Sequence, residues 1–212
     1  MLCAVLPKFS RFAYGIARKN ICTNMAKKSA LLVITDGSEE MEAVITTDIL
    51  RRAGVAVTVA SLSDANCVKC SRDVKICADA KLVDASKSKK YDVVILPGGL
   101  GGSKAFASSA AIGDLLKEQE KEDRVIAAIC AAPIALKAHG IGKGKQITSY
   151  PSMKDELAKE YNYLEDKVVT DGNLITSRGP ATAFAFGLAI VEKLLNKDVA
   201  DTVAKGMLYT DY

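Results

Sequence analysis

The chain has a single histidine, His139, and no tryptophan among its 212 residues. A cysteine–histidine dyad would have to use that histidine. Along a helix, the step from Cys130 to His139 is about 13 Å, so a papain-like dyad is disfavoured unless a second subunit supplies the base. His139 reads instead as a C-terminal helix cap. Long apolar runs are also missing. The longest, Val125–Leu136, contains Pro133 and is too short to span a bilayer. There is no secretory signal, and the six cysteines (3, 22, 67, 70, 77 and 130) lack the spacing of a small disulfide scaffold. They read as free thiols in a reducing compartment. No G-x-G-x-x-G follows the first strand, and the glycine-rich segment reads G-G-S-K rather than G-K-[ST]. Those absences exclude the usual dinucleotide fold and the P-loop. Repeats, low-complexity tracts and inter-domain linkers are absent as well.

Charge is short everywhere but at one end. The formal +4 lies within residues 1–25, which contain no acid, while the other 187 residues balance 25 basic against 25 acidic side chains. The body therefore has no bias toward DNA or anionic lipid. In the first segment, Leu2, Leu6, Phe9, Ala13 and Ile16 share one face of a helix, and Lys8, Arg11, Arg18 and Lys19 share the other. This resembles a mitochondrial presequence or a membrane-surface anchor. The alternatives are a disordered extension, or none if translation starts at Met25. Two regions are expected: a basic extension over 1–25 and one domain over 26–212. The expected location is cytoplasmic, with nuclear and mitochondrial pools, the latter addressed by residues 1–24.

What is present alternates strand and helix. Ala30–Thr35 reads as a buried strand. Ser38 is placed to cap a helix over Glu39–Ala53, which Gly54 ends. Val55–Ser61 is a second strand, completing a parallel βαβ unit. Val68–Cys70 and Val74–Cys77 flank Ser71-Arg72-Asp73 as a small hairpin, and Ala80–Ser86 reads as a short helix. Tyr91–Leu96 is a third strand, followed by P-G-G-L-G-G, and Ala110–Lys121 is a helix. Val125–Ile129 is the fourth strand, leading through Cys130 into an Ala-rich helix up to Gly140. Ile147–Ser149 reads as a strand, Met153–Glu160 as helical, Val168–Thr170 with Leu174–Ser177 as a hairpin, and Ala181–Leu195 and Asp198–Lys205 as helices. The pattern is α/β: a flavodoxin-like, doubly wound, mostly parallel sheet with helices on both faces, in one domain. In such sheets ligands bind at the carboxyl ends of the strands. That rim brings together D-G-S-E-E-M-E, P-G-G-L-G-G and C-A-A-P.

Cys130 stands at a strand-to-helix turn. It reads either as a thiolate stabilised by backbone N–H groups, as in a nucleophile elbow, or as a small buried hydrophobe. Glu42, among apolar neighbours, points inward, where desolvation near a thiol would raise its pKa. Glu39 and Glu40 read as solvated residues complementing the helix dipole. The glycines offer N–H donors to an oxyanion, or serve as turn material. Cys67 and Cys70 form a lone C-x-x-C. A zinc site wants four ligands and only Cys77 lies nearby, and residues three apart on a strand face opposite sides, which opposes a Cys67–Cys70 disulfide. No metal or cofactor is expected.

With G-S-E-E-M-E, R-R-A-G, C-S-R-D-V, D-V-V-I-L-P-G-G, A-A-I-C-A-A-P and T-S-R-G-P in order, the chain from about Ala26 onward resembles the ThiJ/PfpI superfamily, in its redox-responsive deglycase branch. The resemblance implies a homodimer of flavodoxin-like subunits. It implies that Cys130 is the reactive cysteine, oxidised by peroxide to the sulfinic acid and hydrogen-bonded by Glu42. Backbone N–H groups of the Gly98-Gly99 segment and Ala131 would serve the oxyanion. Arg52 and, from the partner subunit, Arg72 would line an anion pocket. Cys70 and Cys77 would be further oxidation sites near the dimer interface. The implied chemistry is protection against oxidative stress, with glyoxalase or protein deglycase action on small α-oxoaldehydes and glycated proteins. A redox-regulated chaperone dimer and a cysteine hydrolase are the alternatives. Two positions depart from the family: Tyr150 stands where the pocket histidine would precede Pro151, and C-A-A-P replaces C-A-G-P, so that Ala132 is expected to crowd the elbow.

Overall fold

The computed structural model describes residues 27–211. The basic segment and the readings attached to it lie outside the described residues. Strand β1 (Ser29–Ile34) leads through a turn into α1 (Glu40–Arg52) and back into β2 (Ala56–Ser61). A hairpin of β3 (Cys67–Lys69) and β4 (Lys75–Cys77) follows, then β5 (Ala80–Lys81) and α2 (Leu82–Ser88). Next come β6 (Val93–Leu96), α3 (Leu100–Ser108), α4 (Ala110–Lys121), β7 (Val125–Ile129) and α5 (Pro133–His139). The remainder is β8 (Gln146–Ile147), a 3-10 turn over Pro151–Met153, α6 (Lys154–Leu157), β9 (Asn162–Tyr163), β10 (Val168–Asp171), β11 (Leu174–Ser177), a 3-10 turn over Pro180–Thr182, α7 (Ala183–Leu194) and α8 (Lys197–Gly206).

Seven strands form one sheet in the order β10-β11-β7-β6-β1-β2-β5. All neighbours are parallel except β10 and β11, which are antiparallel. Strands buried on both faces carry apolar runs rather than alternation, and β6 and β7 are buried at every position. One face packs on α1, α7 and α8 around Ile49, Phe186 and Ile190; the other packs on α3, α4 and α5 around Phe106, Leu116 and Leu136. From β1 the chain winds one way to β2 and later returns on the other side as β6. The switch point therefore lies between β1 and β6, and it is there that loops part to leave a crevice. Register places Leu96 beside Ala128. The loop after β6 thus leaves the sheet level with Cys130.

The local readings fail in informative ways. Ser38 does not cap α1: its Oγ accepts the Thr35 N–H, and Glu39 is the N-terminal residue, without a capping side chain. Ala80 and Lys81 pair with β2 as an edge strand before α2 begins. The glycine-rich segment is not loop throughout. Leu100–Ser108 is helical, since Gly101 and Gly102 let it approach the turn after β1, where a Cβ on Gly102 would lie 2.8 Å from Ser38 Oγ. The Ile147–Ser149 strand shrinks to Gln146–Ile147, and the Met153–Glu160 helix to one turn over Lys154–Leu157. The expected free thiols are corrected at one pair: Cys67 and Cys77 form a disulfide, while Cys70 and Cys130 are free.

Candidate active site

Cys130 leaves β7 with φ +64°, left-handed backbone that a non-glycine residue rarely adopts. The surrounding hydrogen bonds dictate it. Its N–H donates to the Ser177 carbonyl at 3.0 Å, and its own carbonyl accepts the Tyr150 N–H at 2.8 Å. Both neighbouring loops therefore fix the elbow before the side chain is considered, as expected of strain confined to a functional position. The residue is 9% exposed, at the floor of a cleft of about 380 Å3 whose walls include Arg72, Leu100, Tyr150 and Pro180. Ala132 does not crowd the turn: it adopts ordinary helical backbone and is fully buried.

Glu42 is completely buried one turn into α1. Its Oε2 accepts the Gly98 N–H at 2.6 Å, and the carboxyl is hydrogen-bonded to Cys130. Oε1 is buried and accepts no hydrogen bond from the described residues. Burial pushes Glu42 up to about 7, against the Gly98 and Cys130 hydrogen bonds, with the Glu39 charge adding to the rise. Burial and then the Glu42 charge push the Cys130 thiol up to about 12, although the N–H groups of Gly99 and Ala131 pull it down. Gly98 and Gly99 therefore divide their work. Gly98 holds the carboxyl, and the oxyanion donors are Gly99 and Ala131, which corrects the role expected of Gly98. Neither glycine tolerates a side chain. A Cβ on Gly98 would lie 2.5 Å from Cys130 Cβ, and one on Gly99, at φ +82°, would lie 2.7 Å from the Glu39 nitrogen.

Burial and the neighbouring carboxylate work against a thiolate stabilised by the helix. Helix α5 begins only at Pro133, and two N–H groups do not outweigh burial beside a carboxylate. The arrangement is instead a thiol with a carboxyl base against it. The base is half ionised near neutrality, where it takes a proton most effectively. The two groups titrate as a pair. When Glu42 carries the proton, the sulfur anion faces three donors.

Glu39 and Glu40 are not the solvated pair expected. Both are nearly buried beneath the hairpin. Ser71 Oγ donates to Glu39 Oε2 at 2.5 Å and to Glu40 Oε2 at 3.0 Å, and the Arg72 N–H donates to Glu40 Oε1 at 2.9 Å. Burial pushes Glu40 up, yet hydrogen bonds from backbone N–H groups and Ser71 outweigh it and leave its pKa lowered. Arg72 lines the cleft of its own chain. Arg52 does not reach its own subunit's cleft: it ends α1, ion-paired with Asp48 at 2.5 Å on the surface. Cys70 is buried, and burial followed by the charges of Glu40, Glu39 and Asp36 pushes its thiol up to about 11. Cys77 is spent on the disulfide. His139 lies outside the cleft, with Nε2 2.9 Å from the Phe106 carbonyl.

Sequence reading missed Cys67 as the partner of Cys77, Ser71 as the bracket of the two glutamates, and Ser152 in the cleft wall. The first was legible. A turn over Ser71-Arg72-Asp73 sets Cys70 opposite Val74, and counting outward sets Cys67 opposite Cys77. The other two depend on loops meeting in space.

A family model described as the DJ-1/PfpI family matches residues 28–193. Protein dj-1beta of Drosophila melanogaster is 56% identical over 182 residues, covering 85% of this chain and 97% of the relative. The Glutathione-independent glyoxalase DJR-1.2 of Caenorhabditis elegans is 42% identical over 182 residues, covering 85% and 96%. The crystal structure of Drosophila melanogaster DJ-1beta superposes with a TM-score of 0.84 at 55% identity, covering 87% of this chain and 99% of that one.

Proposed function

The chain belongs to the DJ-1/PfpI family, and we propose that it is a redox-sensitive protein with glyoxalase-type activity on small α-oxoaldehydes, carried by Cys130 and Glu42. One observation carries the reading: a floor cysteine held in a left-handed elbow against Glu42, a completely buried carboxyl fixed by the Gly98 N–H at 2.6 Å and raised in pKa by its burial. A relative named a glutathione-independent glyoxalase supports it. As Sγ bonds to the aldehyde carbon of methylglyoxal, the thiol proton moves to Glu42. The oxygen that gains the electron pair faces the N–H groups of Gly99 and Ala131. The aldehyde hydrogen leaves as a proton and is returned to the neighbouring carbon, whose oxygen takes the proton held by Glu42; the product is a lactoyl thioester, and water attacks it to release lactate and the free thiol. The net change is addition of one water, with no external oxidant. Protein deglycation is attack of the same sulfur on the carbinol carbon of an adduct presented at the open cleft, with the protein's amine or thiol leaving as it takes a proton.

The same donors suit an oxidised sulfur. Two peroxide molecules convert the thiol to a sulfinic acid and leave two waters; the sulfinate oxygens then accept from Gly99, Ala131 and protonated Glu42. We infer further that the chain works as a homodimer. Met41 and Val44 on α1 and Val74 on the hairpin are about half exposed beside one another's elements, an apolar face suited to a second copy.

The deciding measurement is lactate formation from methylglyoxal by wild type and Cys130→Ala. Loss of turnover is expected; equal rates would remove Cys130 as nucleophile. Mass spectrometry after mild peroxide should find two added oxygens on Cys130 and none on Cys70.

A further inference from the structure

The hairpin of β3 and β4 is a two-stranded sheet of its own, three residues a side, not joined to the seven-stranded sheet. A hairpin of that size is marginal alone. Two things hold it. At its base, Cys67 and Cys77 stand directly opposite each other and are joined as a disulfide. The hydrogen-bonded pairs on either side leave them in the closer, non-hydrogen-bonded register that brings two sulfurs together. At its tip, Ser71 and Arg72 bond Glu39 and Glu40, and the Ser71 N–H donates to the Ser38 carbonyl at 2.8 Å. Cys67 and Cys77 both lie at exposed positions, whereas Cys70 faces the core. The tip is also a wall of the cleft over Cys130, through Ser71 and Arg72.

We propose that Cys67 and Cys77 are a reversible dithiol–disulfide couple, a second redox site that sets the access and charge of the Cys130 cleft through the Ser71–Arg72 turn. In oxidation, one thiolate takes an oxygen from hydrogen peroxide and water leaves. The second thiolate then attacks the sulfenic sulfur, the S–S bond forms and a second water leaves. In reduction, two small-molecule thiols give up two electrons, leave as their own disulfide and return both protein thiols. The change is a two-electron one that thiols reverse. Sulfinate formation at Cys130 is a four-electron change that thiols do not reverse. With the base of the hairpin closed, Arg72 is fixed at the mouth of the cleft. With it open, the short strands fray, and the cationic wall loosens while Cys130 stays in place.

The test reads Cys130 alone and does not require that Cys130 act on aldehydes. Full-length protein is isolated without reductant and divided, and one half is reduced with dithiothreitol and desalted without air. Cys130 alkylation is followed by mass spectrometry with neutral iodoacetamide and anionic iodoacetate. In wild type the iodoacetate-to-iodoacetamide rate ratio is expected to fall about threefold on reduction, and peroxide stoichiometric with the hairpin dithiol should restore both the ratio and a Cys67–Cys77 linked peptide. Cys67→Ser and Cys77→Ser should each give the low ratio under both conditions. Free Cys67 and Cys77 after peroxide, a Cys77 link between two subunits, or an unchanged ratio in wild type would overturn the proposal. The wild-type comparison stands even if a variant fails to fold.

Discussion

Glu42 places an ionisable group where water cannot reach it, and its charge state should be visible in stability. Its pKa is about 7 in the folded chain against an ordinary 4.5. Between those values the folded state binds more protons than the unfolded one, so stability falls as pH rises, by about 3 kcal/mol in all. Glu42→Gln keeps the acceptor for Gly98 and removes the charge. The melting temperature of Glu42→Gln minus that of wild type should therefore be several degrees larger at pH 8 than at pH 5, measured by calorimetry. Reactivity should move the other way. Alkylation of Cys130 in wild type should climb through about pH 7 as Glu42 becomes able to take the proton. In Glu42→Gln that climb should shift to higher pH, with a loss of about 100-fold at pH 7.5. Gly98→Ala should forfeit the same reactivity by a steric route. Its Cβ, 2.5 Å from Cys130 Cβ and 2.7 Å from Glu42 Oε2, forces the pair apart at a cost of about 1–3 kcal/mol.

At the scale of elements, His139 shows how a residue that invites a catalytic reading serves packing. It ends α5 and reaches across to the end of α3, and Gly113 on α4 makes room for its ring, since a Cβ there would lie 2.6 Å from Nδ1. His139→Ala should lower the melting temperature by a few degrees, for about 1 kcal/mol lost, and leave lactate formation unchanged. The elements legible in the sequence are those whose burial is written as an unbroken apolar run, such as Val125–Ile129, or as helical spacing, such as Ala110–Lys121. Helix α3 was not, because its glycines are set by close approach to Gly37 and Ser38, a contact 64 residues distant in the chain between Ser38 and Gly102. At the site, Cys130 and Glu42 stood out as chemical residues in apolar company. The inverted charge logic did not, because it depends on how completely both are desolvated. Arg52 lies away from the cleft of its own chain for a related reason: matching a motif says nothing of where the end of α1 points.

For the whole molecule, the apolar face of Met41, Val44 and Val74 is the feature an isolated subunit would not keep exposed. Val44→Glu should convert the proposed dimer to monomer in sedimentation velocity while the seven-stranded sheet, read by far-ultraviolet circular dichroism, is retained. The order of that sheet also governs the path by which it forms. Strand β1 must find β6, and β7 must find β11, before either β1–β6 or β7–β11 is paired, and the chain between each pair carries several other elements. Such non-local pairing makes folding slow. The crevice belongs to the last stage, since its floor needs the ends of β1, β6, β7 and β11 together. Until then the Cys130 sulfur is as open to reagents as any in an unfolded chain. A brief pulse of iodoacetamide during refolding would therefore time the closing of the sheet at a single atom.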